Sequence, residues 1–137
     1  MGERRQVMGN GERRILVLGQ SSTLVEGVSD LLQLDGYQVD RSSSWTETED
    51  SAERSLPNLV IVDMSEAASD TYRLSERIRN SPRWSKVPLL FVSFSGDDRI
   101  RELELRNRHS YDGRLHYYAP TLLGVNGLLD KVEDCMS

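Results

Sequence analysis

Three short apolar runs constrain this chain more than anything else in it: Ile15-Leu16-Val17-Leu18, Leu59-Val60-Ile61-Val62 and Leu89-Leu90-Phe91-Val92. Each stops at a small or polar residue, Gly19, Asp63 and Ser93. A run that is apolar at every position suits a strand buried on both faces, as in a parallel sheet covered by helices. Parallel neighbours need a long crossover between them, and the intervening stretches carry apolar residues at helical spacing.

Leu24, Val25, Val28, Leu31 and Leu32 give a first helix one apolar face. Thr23 and Glu26 have capping-box spacing at its start, and Gly36 suits its stop. Tyr37 to Val39 reads as a second, shorter strand. Trp45, Thr48 or Glu49, Ala52 and Leu56 predict a second helix closed by Pro57. Leu74 and Ile78 mark a third helix ending near Ser81-Pro82, and Ile100 and Leu103 mark a fourth. Leu115 to Tyr118 forms a last strand, ended by Ala119-Pro120. Leu122, Val125, Leu129, Val132 and Met136 make a stripe down a final helix. Gly124 and Gly127 weaken that helix by roughly 1 kcal/mol each relative to alanine.

Strand and helix thus alternate five times, which predicts an α/β fold of three layers with helices on both faces of a doubly wound, five-stranded parallel sheet. Right-handed crossovers and the order 2-1-3-4-5 put a crevice at the carboxyl ends of strands one and three. Gly19 to Thr23, Asp63 to Asp70 and Ser93 to Asp98 face it.

The chain has 137 residues, enough for one domain with a proper core. Residues 1–14 read as a tail, with Gly-Glu-Arg-Arg at 2–5 and again at 11–14, and residues 15–136 as the domain. The net charge of −5 argues against a nucleic-acid partner. No apolar run approaches the roughly 20 residues of a membrane span, and no secretory signal is visible. Cys135, the single cysteine, is expected to pack as a small apolar residue in a cytoplasmic protein.

The five strand segments, with Gly36-Tyr37-Gln38-Val39, Pro57-Asn58 before the third strand, Val87-Pro88 before the fourth and Ala119-Pro120 after the fifth, fall in the order and near the spacing of a known family. From about Arg13 to Cys135 the chain resembles the receiver domain of two-component response regulators, a flavodoxin-like, CheY-like fold. The resemblance implies five landmarks. An acidic pair ending the first strand holds Mg²⁺. An aspartate ending the third accepts a phosphoryl group. A hydroxyl ending the fourth and a lysine before a proline ending the fifth contact that group. An aromatic residue on the fifth strand reports the change. Here Asp63 matches the acceptor and Ser93 the hydroxyl. Gly19 and Gln20 stand at the acidic pair and Ala119 at the lysine, while Pro120 is kept. His116 falls at the aromatic position, with Tyr117 and Tyr118 beside it.

Phosphoryl transfer depends on positioning and charge neutralisation. Gly19 offers no ligand, Gln20 a neutral carbonyl, and Mg²⁺ demands near-octahedral oxygen donors. Ala119 removes a fixed cation, and two unit charges at about 4 Å are worth roughly 4 kcal/mol at an effective dielectric of 20. The expectation is therefore a pseudo-receiver that binds no cofactor, has no enzymatic role and acts by protein contact. Glu66, Asp70, Asp97 and Asp98 lie on loops at the same edge and read as loop solvators and helix caps in preference to replacement ligands. Gln20 to Thr23 reads as an N-cap and not an anion site. His109 and His116 lack the spacing of a metal pair. On a strand, His116 and Tyr118 point to one face and Tyr117 to the other. Tyr117 reads as packed under the last helix, and Tyr118 or His116 as either packed or exposed for contact with a partner. The expected partner is a histidine kinase or a downstream signalling protein, met through the fourth helix, fifth strand and fifth helix, with a homodimer through the same face as another form. The rival reading is a working phosphorelay receiver with Asp63 as acceptor. A third is a flavodoxin-like small-ligand domain.

Overall fold

The three apolar runs lie side by side at the centre of one sheet. The computed structural model describes residues 13–20, 22–65, 69–94, 98–108, 112–119 and 125–136. In chain order the elements are β1 (Arg14–Leu18), α1 (Ser22–Leu34), β2 (Gln38–Ser42), α2 (Trp45–Ser51), β3 (Leu59–Asp63), α3 (Ser69–Arg79), a 3₁₀ turn (Pro82–Trp84), β4 (Leu89–Val92), α4 (Arg99–Asn107), β5 (Leu115–Tyr118) and α5 (Val125–Cys135). All neighbouring strands are parallel, in the expected order β2-β1-β3-β4-β5.

Alternate residues of each central strand feed two cores. Leu16, Leu18, Val60, Val62, Leu89 and Phe91 meet Ala52 beyond α2, Leu74 and Ile78 of α3, and Ile100 and Leu103 of α4. Ile15, Val17, Leu59, Ile61, Leu90 and Val92 meet Val25, Val28 and Leu32 of α1 and Leu128, Val132 and Cys135 of α5. This two-sided burial is why no polar residue interrupts the runs.

Several boundaries differ from the sequence expectation. β2 covers Gln38–Ser42, whereas Tyr37 to Val39 was expected; Tyr37 sits in the core just before it. As an edge strand, β2 carries Asp40 and Arg41 on exposed positions, so its pattern hides its extent. α2 ends at Ser51, well before Pro57, because Ala52 leaves helical geometry. Thr23 lies inside the first turn of α1 and is not its cap. A serine N-cap instead opens α2: the Glu47 amide donates to Ser44 Oγ at 3.1 Å, and the Glu47 carboxylate reaches back past the cap to accept the Ser43 amide at 2.8 Å. The Ser43 amide is the main reason the Glu47 carboxyl titrates below its ordinary value.

Gly36 ends α1 as expected, with a φ of 97°. The Tyr37 amide donates to the Leu32 carbonyl and the Gly36 amide to the Gln33 carbonyl, a complete Schellman motif that requires the left-handed backbone glycine tolerates. On α5 the fully buried side is Leu128, Val132 and Cys135, with Leu129 and Met136 partly packed. The expected stripe is therefore turned by about one position. Leu122, and the side chain of Val125, lie outside the described residues.

Candidate functional site

The strand register brings four chain segments to one edge. Leu18 pairs with Val62, Asp63 with Val92, and Val92 with Tyr118. Gly19, Asp63, Ser93 and Ala119 therefore follow one another along the carboxyl ends of β1, β3, β4 and β5.

Asp63 is buried, with 6% of its surface exposed. Its Oδ1 accepts the Ser65 amide at 2.9 Å, the local turn an aspartate makes two residues on. Ser65 is buried too, and its Oγ accepts the Phe94 amide at 2.9 Å from the loop after β4. Between them, the Met64 amide donates to the Val92 carbonyl at 2.7 Å, and the Met64 carbonyl accepts Arg99 Nη1 from the start of α4 at 2.6 Å. Neither Ser65 nor Arg99 was singled out from the sequence. Ser65 stood at the right offset for an aspartate turn. Arg99 carried no signal, because its partner is 35 residues away.

Gly19 lies beside Asp63 with little room for a side chain. A Cβ added there would stand 2.6 Å from Val25 Cγ2, 3.2 Å from Asp63 Cβ and 3.4 Å from Asp63 Oδ2. The exposed Gln20 turns away, its Nε2 donating to the Ser43 carbonyl at 3.3 Å. Ser93 is buried, and its amide donates to the Tyr118 carbonyl at 3.4 Å. Ala119 is exposed. The Mg²⁺ that receivers hold would find one described carboxylate here, no side chain at Gly19 and an amide facing elsewhere at Gln20. Among the described residues the donors are thus one carboxylate, whereas Mg²⁺ demands oxygen ligands on several sides. Among the described residues no three His, Cys, Asp or Glu side chains converge.

Of the other loop acids, Asp70 is exposed in the first turn of α3, 3.9 Å from Arg73. Asp98 caps α4 without a side-chain bond. Glu66, Asp97, His109, Pro120 and Ser21 lie outside the described residues, as does the side chain of Ser22.

β5 divides its aromatic residues between the two faces. Tyr117 joins the core under α3 and α4, away from the last helix, stacked on Phe91 with centroids 5.7 Å apart. Burial raises its phenol pKa, partly offset by Asn107 of α4. Tyr118 packs in the core on the α5 side. Burial, then the Lys131 charge of α5, lowers the His116 pKa and favours neutral imidazole. The α4-facing aromatic is thus Tyr117, one residue beyond the position the resemblance assigns to His116. Burial pushes the Cys135 thiol up to about 11.

A groove of about 590 Å³ opens away from Asp63, between α4 and β5, and includes Arg101, Leu105, Arg108, Leu115 and Tyr117 in its lining. Leu105 is 48% exposed at its edge. At the opposite end of the sheet, Asp112 binds Arg79 Nε at 3.0 Å and Arg114 Nε at 3.2 Å, and Arg114 also donates to the carbonyls of Trp84 and Arg79.

No family model and no curated protein matches the sequence. Solved structures do match the fold. A response regulator from Chloroflexus aurantiacus is 22% identical, with a TM-score of 0.69 over 90% of this chain and 97% of that one. CheY4 of Vibrio cholerae is 15% identical, with a TM-score of 0.67 over 90% and 98%. TrrA of Thermotoga maritima, solved with Mg²⁺ and a beryllium fluoride, is 19% identical, with a TM-score of 0.66 over 90% and 98%. The same protein in complex with the histidine kinase ThkA matches at 18% identity, with a TM-score of 0.65 over 91% and 99%.

Proposed function

The fold is that of response-regulator receiver domains, and from it we propose that this chain is a receiver-type signalling module that acts by protein contact and takes up no phosphate on Asp63 in a Mg²⁺-dependent reaction. One observation carries the reading: where the family has carboxylates beside the acceptor, Gly19 is packed against Asp63 and Val25, and Gln20 is bonded to Ser43. Charge neutralisation is most of what a protein contributes to phosphoryl transfer, and here Gly19 and Gln20 bring no charge to the side of Asp63. Ala119 supplies no cation. In this reading the protein is a signalling component and not an enzyme.

The partner class we assign is a histidine kinase or a downstream signalling protein in the cytoplasm. TrrA bound to ThkA supplies the analogy. The groove beside α4 and β5 supplies a concave surface with an apolar edge. A homodimer through the same face is another form of that contact. No helix among the described residues is long and apolar enough to cross a membrane.

The second reading is a phosphorelay receiver, favoured by Asp63 and Ser93 standing at adjacent strand ends. Incubation with acetyl phosphate and Mg²⁺, followed by intact-mass measurement, separates the two. No adduct is expected. A Mg²⁺-dependent adduct lost in Asp63→Asn would establish the second reading.

A further inference from the structure

The crevice loops are bonded to each other in a way the phosphate chemistry of the family does not require. Two ties leave the segment after Asp63, one to the residue two beyond β4 and one to the first residue of α4. Ser65 Oγ accepts the Phe94 amide at 2.9 Å, and Arg99 Nη1 donates to the Met64 carbonyl at 2.6 Å. A third bond, from the Ser65 amide to Asp63 Oδ1, joins the acceptor side chain to the same loop.

We propose that Arg99 and Ser65 form a latch that ties the Asp63 loop to the first turn of α4 and to the loop after β4 respectively, so that crevice and α4 move as one unit with no phosphoryl group to connect them. The proposal rests on the phosphate-free reading for its purpose and on the bonds above for its geometry. Ser65 is 6% exposed, so water does not readily replace it as the acceptor of the Phe94 amide. The rigid guanidinium fork of Arg99 holds a carbonyl better than a flexible amine would. One residue on, Ile100 is buried, and Leu103 follows on the same face. A shift of the first turn of α4 therefore has to repack the core, and close-packed interiors transmit such strain. The same helix carries Leu105 at the edge of the groove next to Tyr117. A protein that grips that groove acts through α4 on the Asp63 loop, and a protein at the crevice acts on the groove in return. Ser65 and Arg99 are positioning residues in this scheme, since neither needs to touch the partner.

Amide hydrogen exchange read by NMR on the full chain tests it, comparing wild type with Ser65→Ala, Ser65→Thr, Arg99→Ala, Arg99→Lys and the double alanine variant. In Ser65→Ala the Phe94 amide should exchange about tenfold faster, the scale of one net hydrogen bond. Both single alanine variants should also speed exchange across Glu102 to Asn107 while β1 keeps wild-type protection, which shows that the fold is intact. Arg99→Lys and Ser65→Thr should recover part of the protection. The double variant should perturb α4 no more than the stronger single one. Unchanged α4 amides in both single variants, or independent effects that multiply in the double, would overturn the latch. Adding Mg²⁺ and beryllofluoride to wild type keeps the two claims separate: tight binding there contradicts the phosphate-free reading, while the exchange data still decide the latch.

Discussion

Gly19 leaves no free room for a side chain beside Asp63: a Cβ on the glycine would lie 3.2 Å from the aspartate Cβ and 3.4 Å from its Oδ2. The same Cβ would stand 2.6 Å from Val25 Cγ2, closer than packed carbons come. The missing carboxylate is therefore more than a substitution at the end of β1. The first turn of α1 has closed over the space a side chain would need.

Gly19→Ala should lower stability by about 1–3 kcal/mol, the usual cost of overpacking. Val25→Ala should be destabilising alone but should absorb part of the Gly19→Ala cost in the double variant, with a coupling of about 0.5–2 kcal/mol. Urea unfolding of the four proteins measures this. Strict additivity would mean that the two side chains do not compete for the same space.

The ion pairs at the foot of the sheet should shape the acid limb of stability. Burial works to raise the Asp112 pKa, but the hydrogen bonds and charge of Arg114, with help from Arg79, outweigh it and leave the carboxyl below its ordinary range. A carboxyl depressed in the folded state contributes stability above its unfolded pKa and loses it as pH falls through the folded value. Stability should therefore drop on acidification through and below the ordinary aspartate range. Asp112→Asn should cost about 1–3 kcal/mol at neutral pH, as hydrogen bonds to charged groups do, and should flatten the acid limb. Denaturant titrations from neutral pH into the acid range decide it. An acid limb unaltered in the variant would remove Asp112 from the account.

Tyr118 and Gly127 should behave as a pair. A Cβ at Gly127 would overlap the tyrosine Oη and stand 3.1 Å from Cζ. Glycine to alanine inside a helix normally gains about 0.5–1 kcal/mol. That gain should be missing for Gly127→Ala in wild type and should return in a Tyr118→Phe background, where the hydroxyl is gone. Thermal unfolding of the cycle reads the difference. The same increment in both backgrounds would show that the ring simply swings aside.

Much of the fold was legible because it rests on local pattern. Leu59 to Val62, apolar at every position, belongs at the centre of a covered sheet, and right-handed crossovers leave few orders for five such strands. Gly36 ended α1 for the reason its residue type suggests. The edge elements were harder to read. β2 is paired along one side, so Asp40 and Arg41 fit where a central strand would reject them. Ser44 and Glu47 had the capping spacing in plain view, and Thr23 and Glu26 had it as well; which pair capped a helix depended on where each helix began.

The residue types at Gly19, Gln20, Asp63, Ser93 and Ala119 were set by the sequence alone, and with them the charge deficit at the crevice. Tertiary packing decided what surrounds them. It closed Val25 over Gly19, turned Gln20 toward Ser43, faced Tyr117 to α4, and carried Arg99 across to the Met64 carbonyl. Except for Gly19 and Val25, six residues apart, these contacts join residues distant in the chain, and local periodicity holds no record of them. They exist because burying both faces of the sheet leaves the loops after β1, β3 and β4 no other place to meet.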